Sequence, residues 1–289
     1  MAEHKKMSSR ELGLLLGRQL LGVQDLHYGL WDQGLELTLA NLPHAQQRYT
    51  EYLFEALPPP DHHPRVLDVG CGTGYQLQQL LERGYRADGL VPSAELATQV
   101  RERLAAYPRA RLFECRLQDL PLEAHAGAWD ILLFSESFQY IPLADSLRAI
   151  EALLAPGGYA VICDFFRRQA DSDGLFGGGH QLAHFYRVLE QHPLRLERDI
   201  DMTEGISPSI ALLDQLLMQR LLPAGRSLDI YLRDNRPWSW ALLRGLARLL
   251  AGRKLRRLRE KYFSGHRTRA TFEARKTYRL LVLVARPDI

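Results

Sequence analysis

Apolar residues follow two alternating patterns through the middle of the chain. Between residues 65 and 166, short apolar runs alternate with longer stretches in which apolar residues recur every three or four positions. The first pattern predicts buried strands and the second predicts helices. The predicted strands are Arg65–Val69, Ala87–Val91, Arg111–Cys115, Asp130–Ser135 and Tyr159–Phe165, and the predicted helices are Tyr75–Arg83, Ala94–Ala106 and Leu143–Leu154. Strands linked by helices predict a doubly wound α/β core with a parallel sheet and helices on both faces.

The flanks of this core are predicted to be mainly helical. Residues 1–57 carry apolar residues at helical spacing, and Pro58, Pro59 and Pro60 then stop any helix. After residue 166, the glycine-rich stretch Gly174–Gly179 precedes a predicted helix at Leu182–Gln191 and a predicted strand at Leu194–Asp199.

The last apolar run, Tyr278–Ala285, predicts a final buried strand. The roughly 70 residues before it are too many for an irregular loop in a compact domain, so they predict a helical insertion. The expected divisions are an N-terminal helical segment at 1–60, the α/β core at 61–202, a helical cap at 203–272 and the final core strand at 273–289.

Composition places the chain among soluble proteins. With 46% hydrophobic and 25% charged residues, it resembles an average globular domain. The three cysteines, Cys71, Cys115 and Cys163, show no C-x-x-C spacing, so neither a disulfide framework nor a zinc knuckle is predicted. No apolar run is long enough to span a bilayer, and the N-terminal apolar stretch lacks a cleavage site. We therefore expect a cytoplasmic protein.

Positive charge is concentrated near the C-terminus. The whole chain has a net charge of +3, yet the segment Arg244–Arg279 contains thirteen Lys or Arg against only Glu260 and Glu273. Such a segment suits the phosphates of nucleic acid, anionic lipid headgroups or an anionic substrate. A solvated helix face explains the same pattern, and the alternatives stay open.

The clearest local motif follows the first predicted strand. Asp68 ends the strand, and Gly70, Gly72 and Gly74 then alternate with other residues before a helix begins at Tyr75. Glycine takes positive φ in a tight turn and lets a ligand lie on the backbone at the carboxyl edge of the sheet. A phosphate-binding loop needs Gly-Lys-Ser/Thr, and a dinucleotide site needs G-x-G-x-x-G, so the G-x-G-x-G spacing fits neither.

Asp68–Gly74 resembles the first motif of class I methyltransferases that depend on S-adenosylmethionine (SAM). Ala87–Ser93, Asp119–Pro121 and Leu153–Gly158 resemble later pieces of the same family in the same order. The resemblance implies a seven-stranded Rossmann-like sheet with a helical insertion before the last strand. It also implies SAM as cofactor, S-adenosylhomocysteine as product and methyl transfer as activity.

Two further segments resemble a narrower group of small-molecule methyltransferases. His27–Trp31 reads H-Y-G-L-W, which resembles the segment before the core in enzymes that act on tocopherols, sterols, quinones and phosphoethanolamine. Ser135–Ser137 resembles the acidic motif of that group after the fourth strand. The resemblance implies a small, rather apolar substrate and an N-terminal segment that closes the cofactor pocket. Tyr28 and Trp31 as plain core aromatics remain the alternative.

The chain departs from the family at two positions. Val91 stands where many members have an aspartate that binds the ribose hydroxyls, and Arg116 stands where an aspartate often meets the adenine. Gln118 or Asp119 would have to compensate. The resemblance implies this set of cofactor-binding residues: Tyr28, Asp68, Gly70, Cys71, Gly72, Gly74, Val91, Pro92, Leu117, Gln118 and Ser135.

Three residues are candidates for acid–base chemistry. Glu136 follows the fourth predicted strand, where it is expected to face the crevice and to orient substrate or act as a base. His180 and His184 lie four residues apart beside the glycine-rich stretch, and one of them as the base is the alternative. Gln181 stands where the H-E-x-x-H zinc motif needs its glutamate, so no metal is expected.

The insertion contains an amphipathic stretch at 238–261, in which Trp238 and Trp240 precede leucines and a basic continuation. This pattern suits a lid over a lipid-like substrate or peripheral contact with the inner face of a membrane, and also a helix packed on the cap.

The resemblance, together with this pattern, implies methyl transfer to O or C of a hydrophobic lipid, phenol, quinone or isoprenoid. An RNA or protein methyltransferase that uses the segment 244–279, and a catalytically weak partner subunit, are the alternatives; nucleic acid is not favoured because no RNA-binding module is recognisable.

Overall fold

The computed structural model describes residues 22–25, 27–32, 34–169, 178–242, 244–246 and 266–286. Its centre is one seven-stranded sheet in the order β3-β2-β1-β4-β5-β7-β6. The strands are β1 Arg65–Val69, β2 Arg86–Leu90, β3 Leu112–Phe113, β4 Trp129–Ser135, β5 Leu154–Arg167, β6 Leu194–Asp201 and β7 Lys276–Ala285. Strands β1 to β5 pair in parallel, whereas β7 runs antiparallel to both β5 and β6. The predicted doubly wound fold is confirmed.

Helices cover both faces of the sheet. Those of the core are α1 Leu42–Glu55, α2 Tyr75–Glu82, α3 Ala94–Leu104, α4 Leu143–Leu153 and α5 Leu182–Leu189. Successive side chains of a strand point to opposite faces of the sheet, so the strands contribute to an apolar cluster on each face. In β4, Ile131 and Leu133 belong to one cluster, and Leu132 and Phe134 belong to the other. Buried parallel strands need apolar side chains on both faces, which explains their unbroken apolar runs.

The predicted strands and core helices appear at the expected places, with two strands of different length. Strand β3 is shorter than predicted because the backbone N–H of Arg111 donates to the Asp88 carboxylate, 2.8 Å away, instead of continuing the ladder. Strand β5 is longer because Leu154 already pairs with Trp129 of β4, and regular pairing resumes at Tyr159 after an irregularity between Trp129 and Ile131.

The helical prediction for residues 1–57 is wrong for the described residues between 22 and 41 and correct for Leu42–Glu55. Residues 1–21 lie outside the described residues, and the described residues between 22 and 41 form turns and extended chain. Gly22 and Gly34 have positive φ values, which an α-helix does not accommodate. Gly29 is crowded by the neighbouring helix, because a Cβ there would lie 2.5 Å from the Cβ of Ala45. Helix α1 therefore begins only at Leu42, with Pro43 in its first turn.

The described part of the insertion is helical, as predicted. It comprises α6 Thr203–Ile206, α7 Pro208–Gln215, a π-helical turn Leu216–Leu221, α8 Leu222–Asn235, α9 at 237–242 and 244–246, and α10 Arg269–Arg275. Helix α7 packs on the N-terminal segment, where the Ser209 hydroxyl accepts from the backbone N–H of Gly29 and from the Trp31 indole. The basic stretch at 247–265 lies outside the described residues. No helix in the described part of the chain is both long and apolar enough to cross a membrane.

Candidate active site

The glycine turn after β1 leaves a free space at the carboxyl edge of the sheet. Gly70, Gly72 and Gly74 all have positive φ, at 81°, 56° and 79°. A Cβ at Gly70 would lie 2.6 Å from the Cβ of Ser137, whereas a Cβ at Gly72 would meet nothing within 4 Å. Gly70 is thus required by packing. Gly72 is required by backbone conformation, and it leaves its backbone open to a ligand.

Asp68 ends β1 beneath this turn and is almost fully buried. Its Oδ2 atom has no hydrogen-bond partner among the described residues. Burial, with a smaller contribution from the nearby Asp25 carboxylate, raises the pKa of Asp68 to about 7. A buried carboxylate oxygen without a donor is costly, and a ligand that carries an ammonium group would satisfy it. The turn and Asp68 together therefore fit a zwitterionic or cationic cofactor.

The side of the crevice at β2 offers packing in place of polar side chains. Val91 is buried in the core, and its backbone N–H donates to the carbonyl of Phe113 at 3.0 Å. Pro92, next to it, is exposed. Cys71 is buried against β2, because a Cβ at Gly89 would lie 3.0 Å from its Sγ. Of this group, Cys71 would contribute to a ligand site through its backbone alone.

The turn after β3 carries an ion pair. Arg116 Nε donates to Asp119 Oδ2 at 2.7 Å, and both side chains are well exposed. The carboxylate of Asp119 is therefore already paired with Arg116, and this hydrogen bond lowers the pKa of Asp119. Leu117 is buried in the core and Gln118 is exposed. Gln118 is thus the polar side chain of this turn that can turn toward a ligand.

Glu136 follows β4 in a left-handed conformation, with φ 52°. This conformation is unfavourable for a residue other than glycine, and it is held by two hydrogen bonds to Oε1. The backbone N–H of Tyr28 donates at 2.8 Å and the hydroxyl of Tyr278 donates at 2.9 Å. Burial raises the pKa of Glu136, and His27, Tyr28 and Tyr278 offset part of that rise. Glu136 is therefore a carboxylate that two hydrogen bonds fix in place and whose pKa is raised, as a general base requires.

A chain of hydroxyl groups leads away from Glu136. The hydroxyls of Tyr278 and Tyr49 are 3.1 Å apart, and the hydroxyls of Tyr49 and Ser135 are also 3.1 Å apart. Each hydroxyl has one proton, so if Tyr278 donates to Glu136, its contact with Tyr49 is a hydrogen bond only when Tyr49 donates, and Ser135 is then the donor to Tyr49. Ser135 thus contacts the polar network, and the chain orients the carboxylate.

A second buried polar group lies beside this chain. His27 stacks on the Tyr49 ring with centroids 4.3 Å apart, and its Nε2 lies 3.3 Å from Asp25 Oδ2. The Thr50 hydroxyl also contacts His27 and accepts from the Gln76 amide. Sequence reasoning did not identify Tyr49, Tyr278 or Asp25 as site residues. The one available signal was Tyr278, a tyrosine that begins a predicted strand of mainly aliphatic residues.

The two candidate histidines are placed differently. His180 is half-buried, with its Nε2 3.2 Å from the Phe138 carbonyl, and burial lowers its pKa. His184 lies on the exposed face of α5. Neither histidine has a hydrogen bond or ion pair to Glu136 in the described part of the chain. That part also holds no group of three or more acidic, histidine or cysteine side chains arranged for a metal ion.

The family model for a methyltransferase domain matches residues 66–158. The ubiquinone biosynthesis O-methyltransferase of Psychrobacter cryohalolentis is 31% identical over 107 residues, which are 34% of this chain and 39% of that protein. The trans-aconitate 2-methyltransferase of Deinococcus radiodurans is 30% identical over 111 residues, 37% of this chain and 40% of that protein. The chain thus matches about two fifths of the length of these relatives, in the core that surrounds the glycine turn.

Solved structures share nearly the whole architecture. A geranyl diphosphate methyltransferase, solved with geranyl diphosphate and sinefungin, has a TM-score of 0.65 at 18% identity and covers 94% of both chains. A sarcosine dimethylglycine methyltransferase from Galdieria sulphuraria has a TM-score of 0.69 at 14% identity and covers 95% of this chain and 98% of its own. Such identities establish the fold alone. The solved structures thus show the fold, and the family model shows a methyltransferase domain at residues 66–158 within it.

Proposed function

We propose that the protein transfers a methyl group from SAM to O or C of a hydrophobic small molecule. One observation carries the proposal: the backbone at Gly72 is open in the turn after β1, where the buried Asp68 Oδ2 has no partner among the described residues, and Glu136, a hydrogen-bonded carboxylate of raised pKa, follows the neighbouring strand β4. The first carboxylate suits the cofactor and the second suits the acceptor. The matched methyltransferase domain supports the same reaction.

The residues that would hold the cofactor come from three strand ends. Asp68 and the backbone of Gly70–Gly74 would receive its amino acid end, Val91 and Pro92 would pack on its ribose, and Leu117 and Gln118 would border its adenine. When bound, SAM supplies a methyl group that its sulfonium has already activated. The protein therefore has to orient the acceptor and exclude water, and no covalent nucleophile is needed.

Glu136 would act on the acceptor. The two hydrogen bonds that the described residues make to it, from Tyr28 and Tyr278, both fall on Oε1, so its second oxygen would hold or deprotonate an acceptor hydroxyl or carbon acid. The proton would move from the acceptor to the carboxylate as the methyl bond forms. Because a raised pKa makes the carboxylate a stronger base, the arrangement favours acceptors that must lose a proton. His180 would be the alternative base, since its lowered pKa keeps it neutral.

The acceptor class rests on relatives and on the apolar surroundings. One similar protein is named for ubiquinone biosynthesis and one similar structure contains geranyl diphosphate, so both concern molecules with isoprenoid parts. In this chain, Tyr28 from the N-terminal segment contacts Glu136 and packs against the apolar core, whereas Trp31 packs in a separate apolar cluster with Leu42. A small phenol, quinone or isoprenoid would suit such walls.

Calorimetric titration with SAM and S-adenosylhomocysteine, followed by a methyl-transfer assay on quinol, phenol and isoprenoid acceptors, tests the proposal. We expect both cofactor forms to bind and at least one apolar acceptor to be methylated. Transfer to RNA or protein alone would favour the nucleic-acid or protein alternative. No binding of either form would favour a partner subunit without activity.

We also propose that the hairpin formed by α8 and α9 contacts a membrane in which such acceptors dissolve. On α9, Trp238, Leu242 and Leu246 are spaced four apart and are 89%, 68% and 45% exposed. The apolar stripe expected from sequence included Trp240, but the Trp240 indole donates to Asp229 on α8 and so faces the other helix. Arg226 on α8 and Arg236 between the two helices would favour anionic lipid.

Sedimentation with vesicles that contain anionic phospholipid tests this contact. Trp238→Ala/Leu242→Asp should reduce the bound fraction severalfold, whereas Leu37→Asp, which changes an exposed leucine of the N-terminal segment, should leave it unchanged. Equal binding by both variants, or no binding by the parent protein, would contradict the membrane contact without affecting the methyl-transfer proposal.

A further inference from the structure

A second cavity lies at the opposite edge of the sheet from the glycine turn. It has a volume of about 540 Å³ and is bordered by the amino ends of β1 and β2 and by the chain that enters β3 and β4. Its lining includes Arg65, Arg86, Arg109, Arg111, Tyr107 and Trp129. A volume of this size is typical of small-molecule sites, which span about 300 to 1,000 Å³. The methyl-transfer proposal assigns no role to this cavity.

Two of the four arginines are neutralised by buried carboxylates. Arg65 forms a bidentate pair with Asp130, with contacts of 2.6 and 3.1 Å. Arg111 pairs in the same way with Asp88, with contacts of 2.6 and 3.2 Å. Asp88 also accepts from the Trp129 indole at 3.0 Å, so its oxygens are fully used within the wall. These pairs fix the wall of the cavity and leave little capacity to neutralise further positive charge.

The other two arginines have no such partner. In the part of the chain that the structure describes, neither Arg86 nor Arg109 makes a side-chain hydrogen bond or an ion pair with a carboxylate. Arg86 lies directly opposite Arg65 in the β1–β2 register. Arg109 comes three residues before β3, which pairs with β2 on its other side. Arg86 and Arg109, both exposed, are therefore the two guanidinium groups of this lining that can pair with an anion from solution.

Aromatic side chains also line the cavity beside the charges, with Tyr107 partly exposed and Trp129 buried. Arg111 lies over the Trp129 ring at 5.8 Å and over the Phe113 ring at 5.4 Å, and Tyr107 forms another part of the lining. Guanidinium groups bind phosphate oxygens in pairs, and they do so better than ammonium groups. A cluster of arginines next to aromatic rings therefore favours a phosphate attached to a small organic group.

We propose that this cavity binds a phosphorylated small molecule, whose phosphate contacts Arg86 and Arg109. The site would be separate from the methyl-transfer crevice, because one lies at the amino edge of the parallel strands and the other at the carboxyl edge. Free phosphate and a phosphorylated metabolite share this chemistry. The organic group of the metabolite would add contact with Tyr107.

Calorimetric titrations of the full chain with inorganic phosphate, pyrophosphate and AMP test the site. We expect pyrophosphate or AMP to bind more tightly than inorganic phosphate, and Arg86→Gln/Arg109→Gln to weaken the tighter of them at least tenfold. A matched variant, Arg187→Gln/Arg198→Gln, removes two exposed arginines elsewhere and should change the affinity less than twofold. The thermal unfolding midpoints of both variants show whether the fold is kept.

Several results would overturn the site. Equal weakening by the two variants would mean that net charge alone attracts the anions. Sulfate binding as tight as pyrophosphate, or binding of RNA with none of the small phosphates, would also contradict it. Because SAM affinity should be the same in all these proteins, a failure here can be told apart from a failure of the methyl-transfer proposal.

Discussion

The two sides of the candidate crevice differ in polarity. At the ends of β1 and β4, Asp68 is a buried carboxylate, and Glu136 joins a network of buried tyrosine and serine hydroxyls. At the ends of β2 and β3, Val91 offers only packing and Arg116 is already paired with Asp119. The difference indicates that the first side would position the reacting end of the cofactor, whereas the second side would bind the nucleoside with fewer polar contacts.

The largest expected effect comes from closing the free space in the glycine turn. Gly72→Val should abolish measurable SAM binding, because it forces a β-branched residue to φ 56° and fills the space over the backbone. Calorimetric titration measures the effect. Gly157→Val is the matched control, since Gly157 also has a positive φ with nothing within 4 Å of a Cβ but lies where β5 begins, at the opposite edge. Equal SAM affinity in the parent and the Gly72 variant would mean that the crevice is elsewhere.

The second-largest effect is expected on kcat, from a substitution at Glu136 after β4. Glu136→Gln should lower kcat about 10²- to 10⁴-fold if Glu136 is the base, while SAM affinity changes less than threefold. Asp164→Asn is a suitable control, because Asp164 is a buried carboxylate held by the backbone and side-chain amides of Gln139. A loss of similar size in both variants would indicate a general effect of removing buried charge.

A smaller effect on SAM affinity is expected at the ends of β2 and β3, where the nucleoside of the cofactor would bind. Val91→Asp should tighten SAM binding between a few-fold and about a hundredfold, because a charge-assisted hydrogen bond contributes about 1 to 3 kcal/mol. Val91→Asn, which has nearly the same shape without the charge, separates charge from size. An unchanged or weaker affinity for the aspartate variant would show that the ribose is held by other groups.

The fold was predictable from local sequence, while much of the polar network was not. Parallel strands buried on both faces give continuous apolar runs, and the glycine turn gives fixed spacing, so β1, β2 and β4 were located within one residue. By contrast, Glu136 and Tyr278 are 142 residues apart in the chain, and Tyr49 and Tyr278 are 229 apart. No periodicity links such residues, because the antiparallel placement of β7 beside β5 is what brings them together.

The last prediction concerns the pH dependence of cofactor binding. Burial raises the pKa of Asp68 to about 7, so the folded protein holds this proton more tightly than the unfolded chain does. The contribution of Asp68 to the free energy of unfolding should therefore fall as pH rises from about 4 to about 7. Binding of a ligand with an ammonium group follows the opposite direction, because only the ionised carboxylate attracts it. SAM should bind about tenfold more weakly at pH 6 than at pH 7.5, given a tenfold change in ionisation per pH unit below the pKa. Calorimetry across this range measures the slope, and Asp68→Asn should remove it. A slope that persists in that variant would assign the titration to another group, with His27 beside Asp25 as the first to test.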